Sequence, residues 1–364
     1  MSCVSALDVS LPWPERILMT ADSSEGMWSY ALELSRVLTS FGIHVTLATM
    51  GAPRSAMQRR ESEGIKELDV VEQPFSVEWL PDDTGNELAA AAQWLLEVDA
   101  EIEPSLVHVN HVCHAAIGWS APTLVAAHGC VLSRWLAVHG TRAPAEWARY
   151  RHEVEAALRS ASVIVTTSIA GKQALGQYYT PVRSARVIPS GRDGRWVMPD
   201  EKDSVIVSMG ELGDEAANLR ALADVAGILP WPIELLGAIE THGVRHALSR
   251  ASIFAWPAKY APFATPVLDA ALCGCALVLG DLPSLRETWQ DAALFVAPDD
   301  RAELAAALCE LTDSPARRHQ LGQAARARAL ECSASRMATG YLSAYCGLMA
   351  QRCATAATAT LGFR

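Results

Sequence analysis

One short stretch of the sequence concentrates ligand-type side chains: His108, His111 and His114, with Cys113 between them. Imidazole and thiolate together suit a zinc ion. Against a metal, His108 and Asn110 stand at the end of a strand, where successive side chains point to opposite faces. Four ligands from so short a run would need an unusual loop, so the cluster is read as containing no metal site. A second group, Arg142, Arg149, Arg151 and Arg159, is interleaved with Trp147 and Tyr150. Such a face could rest on an anionic lipid surface as a peripheral membrane contact. Glu146, Glu153 and Glu155 on the same helix offer the alternative of a solvated face with internal pairs. Trp28, Trp135 and Trp196 fall near loops where a ring could stack on a sugar. No glycine-rich dinucleotide fingerprint follows the first strand, which disfavours a dehydrogenase, and no G-x-S-x-G elbow is present.

The elements that would position these residues alternate along the chain. Strands are expected at 17–20, 44–49, 106–110, 123–128 and 163–167, with helices at 28–41, 87–98 and 146–159. In the first helix Leu34, Val37, Leu38 and Phe41 share a face, and Gly42 stops it. The pattern breaks after residues 187–194 and a second series begins. It has strands at 204–209, 233–236, 253–256 and 276–279, and helices at 216–228, 266–273 and 301–311. A last helical stretch covers 316–351, broken near Cys332 and Ser333, before a small, polar tail at 354–364 expected to be disordered. Strand–helix–strand units of this kind build parallel sheets, and ligands bind at the carboxyl ends of their strands.

The chain has 364 residues, half of them hydrophobic, which suits two domains with their own cores. Thirty Lys and Arg against 41 Asp and Glu give a net charge of −11, so a nucleic-acid groove is disfavoured. No apolar run is long enough to span a bilayer, and the opening residues lack a basic region followed by an apolar core. The expectation is a cytoplasmic protein whose nine cysteines, without paired C-x-x-C spacing, are reduced and mostly buried. Cys273 and Cys275 sit in an apolar run and are read as core.

Longer motifs carry a resemblance. ILMTAD at 17–22 precedes EGMWSYALEL from Glu25, and FGIHVTLATMG follows from Phe41. His128, Gly129 and Cys130, and then VIPSGRD from Val187, occupy the middle of the chain. PFATPVLDAALCGCALVLGD from Pro262, SLRE at 284–287 and DAALFV from Asp291 complete the series. From about residue 15 to 348 the chain resembles the GT-B-fold glycosyltransferases of family four, retaining enzymes that move a sugar from a nucleotide sugar. The resemblance implies an α/β fold of two Rossmann-like, doubly wound domains facing a central cleft, with a C-terminal helix crossing back to the first domain. The implied division is an acceptor-side domain at 1–190, a donor-side domain at 191–340, and a returning helix and tail at 341–364. Closure would hinge at 190–196, where Arg192 and Asp193 either form a turn pair or serve the cleft.

The resemblance also assigns roles. His128 would contact the transferred sugar, and the Gly26 loop would bring helix amides near an anion or acceptor. Thr265 and Pro266, in the donor-site helix, would bind the donor together with Gly26 and with Asp269, which would accept from ribose hydroxyls. Without a metal, a departing diphosphate needs fixed cations. The positions at which the family supplies an Arg and a Lys are Glu211 and Ala217 in this chain, close to Asp214 and Glu215. The first member of the family's carboxylate pair is Ala261, and the stretch from Gly237 to Ile253 is short for a nucleobase clamp. Two readings follow. One is transfer of a glycosyl group, with retention and no cofactor, through a remodelled donor site. The other is a non-catalytic binding protein or companion subunit. Implied ligands are a nucleotide sugar or another small anionic or sugar molecule; implied partners are an active glycosyltransferase or a second copy of the chain.

Overall fold

Aliphatic and β-branched runs bounded by turn residues form the strands, and the amphipathic stretches between them form the helices. A computed structural model describes residues 13–77, 86–194, 201–237, 241–262 and 264–361. The first sheet contains β1 (Arg16–Asp22), β2 (His44–Met50), β3 (Leu68–Glu72), β4 (Leu106–Val109), β5 (Thr123–Ala126), β6 (Val163–Thr166) and β7 (Arg186–Val187). All its pairings are parallel, in the order β3-β2-β1-β4-β5-β6-β7. Its helices are α1 (Glu25–Ser40), α2 (Ala56–Glu63), α3 (Asn86–Ile102), α4 (Val131–His139), α5 (Ala148–Ser160) and α6 (Ile169–Gly176).

The second sheet contains β8 (Asp203–Met209), β9 (Ile233–Leu236), β10 (Ala251–Trp256), β11 (Ala276–Gly280) and β12 (Ala293–Val296), again parallel, in the order β12-β11-β10-β8-β9. With it go α7 (Arg220–Val225), α8 (Thr241–Arg250), α9 (Thr265–Leu272), α10 (Pro283–Trp289), α11 (Arg301–Asp313) and α12 (Pro315–Glu331). The short stretch after Gly237 has room for α8 alone before the chain enters β10, so β9 is left as a sheet edge. The fold is two Rossmann-like α/β domains. Both sheets change strand direction of travel at their first strand, and ligands of such sheets bind at that switch point.

Local chemistry sets the boundaries. Extended Ser24 precedes α1 and its amide donates to Asp22 Oδ1 at 2.7 Å. Met27, Ala31, Leu34 and Leu38 then recur on the buried face, and Gly42, with φ of 79°, ends the turn. Phe41, expected on that face, is instead exposed and tilts against Trp13, because it caps the helix and has left the helical path. The helix expected at 216–228 is shorter. Asn218 takes φ of 56°, so regular helix starts only at Arg220.

The chain passes between the sheets twice, and the passes touch. Arg192 bridges to Ser333; its amide donates to Cys332 and its carbonyl accepts from Ala334. A Cβ on Gly191 would lie 2.2 Å from the Ser333 carbonyl oxygen, so glycine is what lets the two passes meet. After the return, α13 (Ala334–Leu361) enters the first domain's core at once, ahead of residue 341. Met337, Tyr341, Leu342, Tyr345 and Leu348 are buried against α1, β1 and β2. Burial of a large apolar side chain contributes about 1.5–3 kcal/mol, so α13 is a structural layer of the first domain.

Candidate functional site

The carboxyl ends of the first sheet hold a buried polar network. β5 runs into His128, whose Nε2 lies 2.8 Å from Asn110 Oδ1. The Asn110 amide nitrogen donates to the Thr20 carbonyl at 2.7 Å. That bond fixes which end of the amide faces His128, so Nε2 carries the proton and Nδ1 is the acceptor. Tyr30 from α1 packs edge-on against the ring, centroids 4.5 Å apart. Burial, reinforced by His108 and His111, lowers the His128 pKa to about 3. His128 is therefore a neutral imidazole, able to exchange hydrogen bonds with a hydroxyl but unable to stabilise an anion by charge.

Of the neighbouring histidines, His108 and His111 each have a partner of their own, whereas both ring nitrogens of His114 are buried and have no hydrogen-bond partner among the described residues. His108 Nδ1 sits 2.6 Å from the Tyr345 hydroxyl, and the Tyr30 hydroxyl donates to Tyr341 at 2.6 Å, tying α13 into the network. His111 Nε2 meets Asp22 Oδ2 at 3.0 Å in a pair with almost no exposure. Burial lowers His108 and His114 to about 3 as well. Among the described residues no group of three or more His, Cys, Asp or Glu side chains is placed to hold a metal ion.

Across the cleft, the loop after β10 reaches into this network. Tyr260 is half-buried, and its hydroxyl accepts from the Cys130 amide at 3.0 Å and lies 3.2 Å from Ser133 Oγ. A Cβ on Gly129 would stand 1.9 Å from that hydroxyl, so the glycine beside His128 makes the space Tyr260 fills. Burial pushes the Tyr260 phenol up to about 12. The adjoining Ala261 is buried and brings no polar atom.

The donor-side positions are built into the same closure. Glu211 is exposed, and Ala217 is buried in the second core. Asp214 accepts from the Ala216 amide at 3.0 Å and from Arg134 of α4 at 3.1 Å. The Ala216 carbonyl receives the Lys259 amide at 2.8 Å, while the Lys259 ammonium pairs with Asp299 at 2.6 Å. Asn218 donates to the carbonyls of Pro257 and Pro298, both at 2.8 Å. Asp269, expected to face ribose hydroxyls, has its two oxygens 2.7 and 2.9 Å from Arg192 Nε and Nη2. Arg192 also donates to Ser29 and lies 3.6 Å from Glu33 of α1. Glu33 is 4% exposed and accepts from the Asp193 amide at 2.8 Å; its pKa is raised because desolvation outweighs Arg192. Arg192 and the Asp193 amide thus clamp both domains.

A third closure lies at α6. Ser168 caps this helix through the Gly171 amide, and the Ile169 and Ala170 amides donate at 2.9 and 3.0 Å to the Glu287 carboxylate of α10. The chain's own carboxylate occupies a helix N-terminus suited to an anion. Between these contacts remains a cavity of about 60 Å³, lined by Ala261 and Thr265 together with Ser168, Ser190, Ser284 and Thr288, and by no charged side chain. Small-molecule sites have volumes of about 300–1,000 Å³. Thr265 and Pro266 form the first turn of α9, and Gly26 lies in the first turn of α1.

Several expectations are corrected. Trp28 is 2% exposed, donates to Glu61 at 3.2 Å and belongs to the core rather than to a stacking surface. Trp135 lies against His139, centroids 4.3 Å apart, and Trp196 lies outside the described residues. Trp147 and Tyr150 are buried, and Arg149 and Arg159 pair with Glu153 and Glu155 at 2.8 and 2.7 Å. The basic face of α5 is therefore a solvated one without aromatic anchors. Among the described residues no helix is long and apolar enough to cross a membrane. Cys273 and Cys275 are buried thiols raised by desolvation to about 12 and 11.

Comparison with known proteins fits this architecture. Residues 24–194 match Glycosyltransferase Family 4, and residues 184–314 match Glycosyl transferases group 1. An alpha-maltose-1-phosphate synthase of Mycolicibacterium smegmatis is 33% identical over 130 residues, a match covering 33% of this chain and 33% of that protein. A sucrose-phosphate synthase from Thermosynechococcus elongatus superposes with a TM-score of 0.76 at 17% identity, over 93% of this chain and 100% of the other. The Anabaena protein HepE, solved with UDP and glucose, gives 0.72 at 13% identity, over 92% of this chain and 100% of the other. The adjoining family matches, on two Rossmann-like domains joined by a paired crossover, show that this chain belongs to the family-four, group 1 glycosyltransferases of the GT-B fold.

Proposed function

We propose that this chain is a family-four glycosyltransferase scaffold that works by binding a partner protein rather than by transferring a sugar from a nucleotide sugar. The carrying observation is Tyr260, seated on the Gly129 backbone beside His128 and filling the space next to that imidazole. Loss of a glycosidic bond to a nucleoside diphosphate places growing negative charge in the cleft. Positions 211 and 217 bring no cation to offset it, and the Arg192 guanidinium in the cleft is engaged by Asp269; removal of a single such donor already costs about 10²–10³ in rate. The proposed role is that of a companion subunit to an active glycosyltransferase, in the cytoplasm, with a second copy of the chain as the alternative partner.

A second reading is favoured by one specific observation. The His128–Asn110–Tyr30 arrangement keeps a defined imidazole tautomer beside the cleft. If the domains part at the 191–192 and 332–334 crossing, that imidazole could meet a sugar, and Asp269 could be released to a ribose. Transfer with retention would then run through a remodelled site. HepE was solved with UDP and glucose, so UDP-glucose is the first donor to try.

Turnover assays with UDP-, GDP-, ADP- and TDP-sugars separate the two readings. The binding role predicts no sugar release or transfer by the wild-type chain, and recovery of an active glycosyltransferase when the tagged chain is isolated from its native host. Turnover reduced by His128→Ala would establish the second reading instead. The combined substitution Glu211→Arg, Ala217→Lys, Ala261→Glu and Tyr260→Gly tests charge and closure together; gain of nucleotide affinity would trace the loss to those positions.

A further inference from the structure

The second domain has a basic pocket on the side away from the cleft. Its floor is the amino-terminal ends of the sheet: Ser204 at the start of β8, Ser252 at the start of β10 and the Gly274 turn before β11. Its wall is one stripe of α12, on which Arg318, His319, Gly322 and Arg326 follow at helical spacing. Gly322 permits this approach, since a Cβ there would lie 2.5 Å from the Gly274 carbonyl oxygen. Lys202 completes the lining, and the pocket has a volume of about 550 Å³.

Three cations converge and no carboxylate lines the pocket. Lys202 donates to the Ala251 and Cys273 carbonyls, both at 2.8 Å, and to the Leu248 carbonyl at 3.4 Å, so it brings the pocket its charge rather than a free N–H. Arg326 donates to the Leu272 carbonyl at the end of α9, and Arg318 to the Leu311 carbonyl near the end of α11. Arg318 also lies over the Trp231 ring, 4.5 Å from its centroid. These anchors fix the side chains while leaving further N–H groups on both guanidiniums. Among the described residues none of the three is ion-paired. Asp203, next to Ser204, is turned to Arg250 at 2.5 Å. Cys273 and Cys275 are close by, but burial keeps them as neutral thiols, so they supply no counter-charge. Carbonyl dipoles at helix ends offset part of each charge. They do not account for a preorganised triad around open volume in a chain of net charge −11.

We propose that this pocket binds a phosphate-bearing small anion through Lys202, Arg318 and Arg326, with Ser204 and Ser252 as neutral hydrogen-bonding groups. It lies at the opposite end of the sheet from the cleft, so it stands apart from whatever the cleft does. The phosphate could belong to a soluble metabolite or to a lipid headgroup.

Calorimetric titration of the full chain with inorganic pyrophosphate tests it. Binding is expected, and Arg318→Gln and Arg326→Gln should each weaken it about tenfold. Both substitutions remove a carbonyl contact, so a third variant protects against misfolding: His319→Glu, at an exposed position, adds a carboxylate to the pocket wall without removing an anchor. It should abolish binding while leaving the melting temperature unchanged. Co-sedimentation with phosphatidic acid vesicles, lost in the same variants, would assign the phosphate to a lipid. No pyrophosphate or vesicle binding, or binding unaffected by His319→Glu, would overturn the proposal and leave the cations as helix-end caps.

Discussion

The two walls of the cleft treat polar side chains differently. On the first-domain wall, His108, His111 and His128 are buried in a network with Tyr30, Asp22, Asn110 and the tyrosines of α13, and His114 packs against His111. On the second-domain wall, the positions to which the sequence resemblance assigns a nucleotide are exposed and acidic at Glu211, apolar at Ala217 and Ala261, or ion-paired at Asp269. One wall keeps its chemistry by burying it, and the other has turned its polar groups to joining the domains. His128 is held by Asn110 and Tyr30 within one domain, while the space beside it is filled from the other domain by Tyr260.

Acid sharpens the comparison most. Burial holds His108, His114 and His128 near 3, below the ordinary 6.5, so the unfolded chain binds more protons than the folded one between these values. Their stabilising contribution is full above about pH 6.5 and is lost as pH falls toward 3. Each contributes a slope of about 1.4 kcal/mol per pH unit. Chemical denaturation between pH 7 and 4.5 should show a steep loss of stability, reduced by about one-third of that slope in a His114→Phe variant. A flat profile would mean the first wall is wet.

Next is Arg192→Met. It leaves Glu33 buried and Asp269 unpaired, a situation that costs about 3–5 kcal/mol. Adding Glu33→Gln should recover part of the loss, and urea denaturation would measure both. A smaller effect is expected at Gly129→Ala, where overpacking against Tyr260 should cost about 1–3 kcal/mol. The same change in a Tyr260→Ala background should cost little, giving a clear coupling energy in a double-mutant cycle. Additivity would break the picture of Tyr260 as the plug. The smallest effect belongs to Arg134→Ala. Its pair with Asp214 is exposed on both sides, and such pairs contribute about 0–1 kcal/mol.

Much of the scaffold was readable because it is written locally. The strand at 233–236 matches β9, and the break near Cys332 and Ser333 separates α12 from α13. The apolar alternation and Gly42 likewise placed α1 and β2. The residue types at 211, 217 and 261 were readable from the sequence. What they face was not. Tyr260 stands one residue before Ala261, yet its meaning depends on Gly129 in the other domain. Glu287 caps α6, Arg192 finds Asp269, and His111 finds Asp22, all across long separations that leave no periodic trace in sequence. The edges of long-range packing are set by the sheets and the paired crossover, and only the folded chain displays them.

The central claim is that the cleft does not receive a nucleotide. Calorimetric titration of the His319→Glu chain with UDP and UDP-glucose tests it most directly, because that substitution blocks the separate basic pocket. The account predicts no saturable heat at millimolar ligand. Micromolar binding, weakened by Asp269→Ala, would contradict it and place the donor in the cleft.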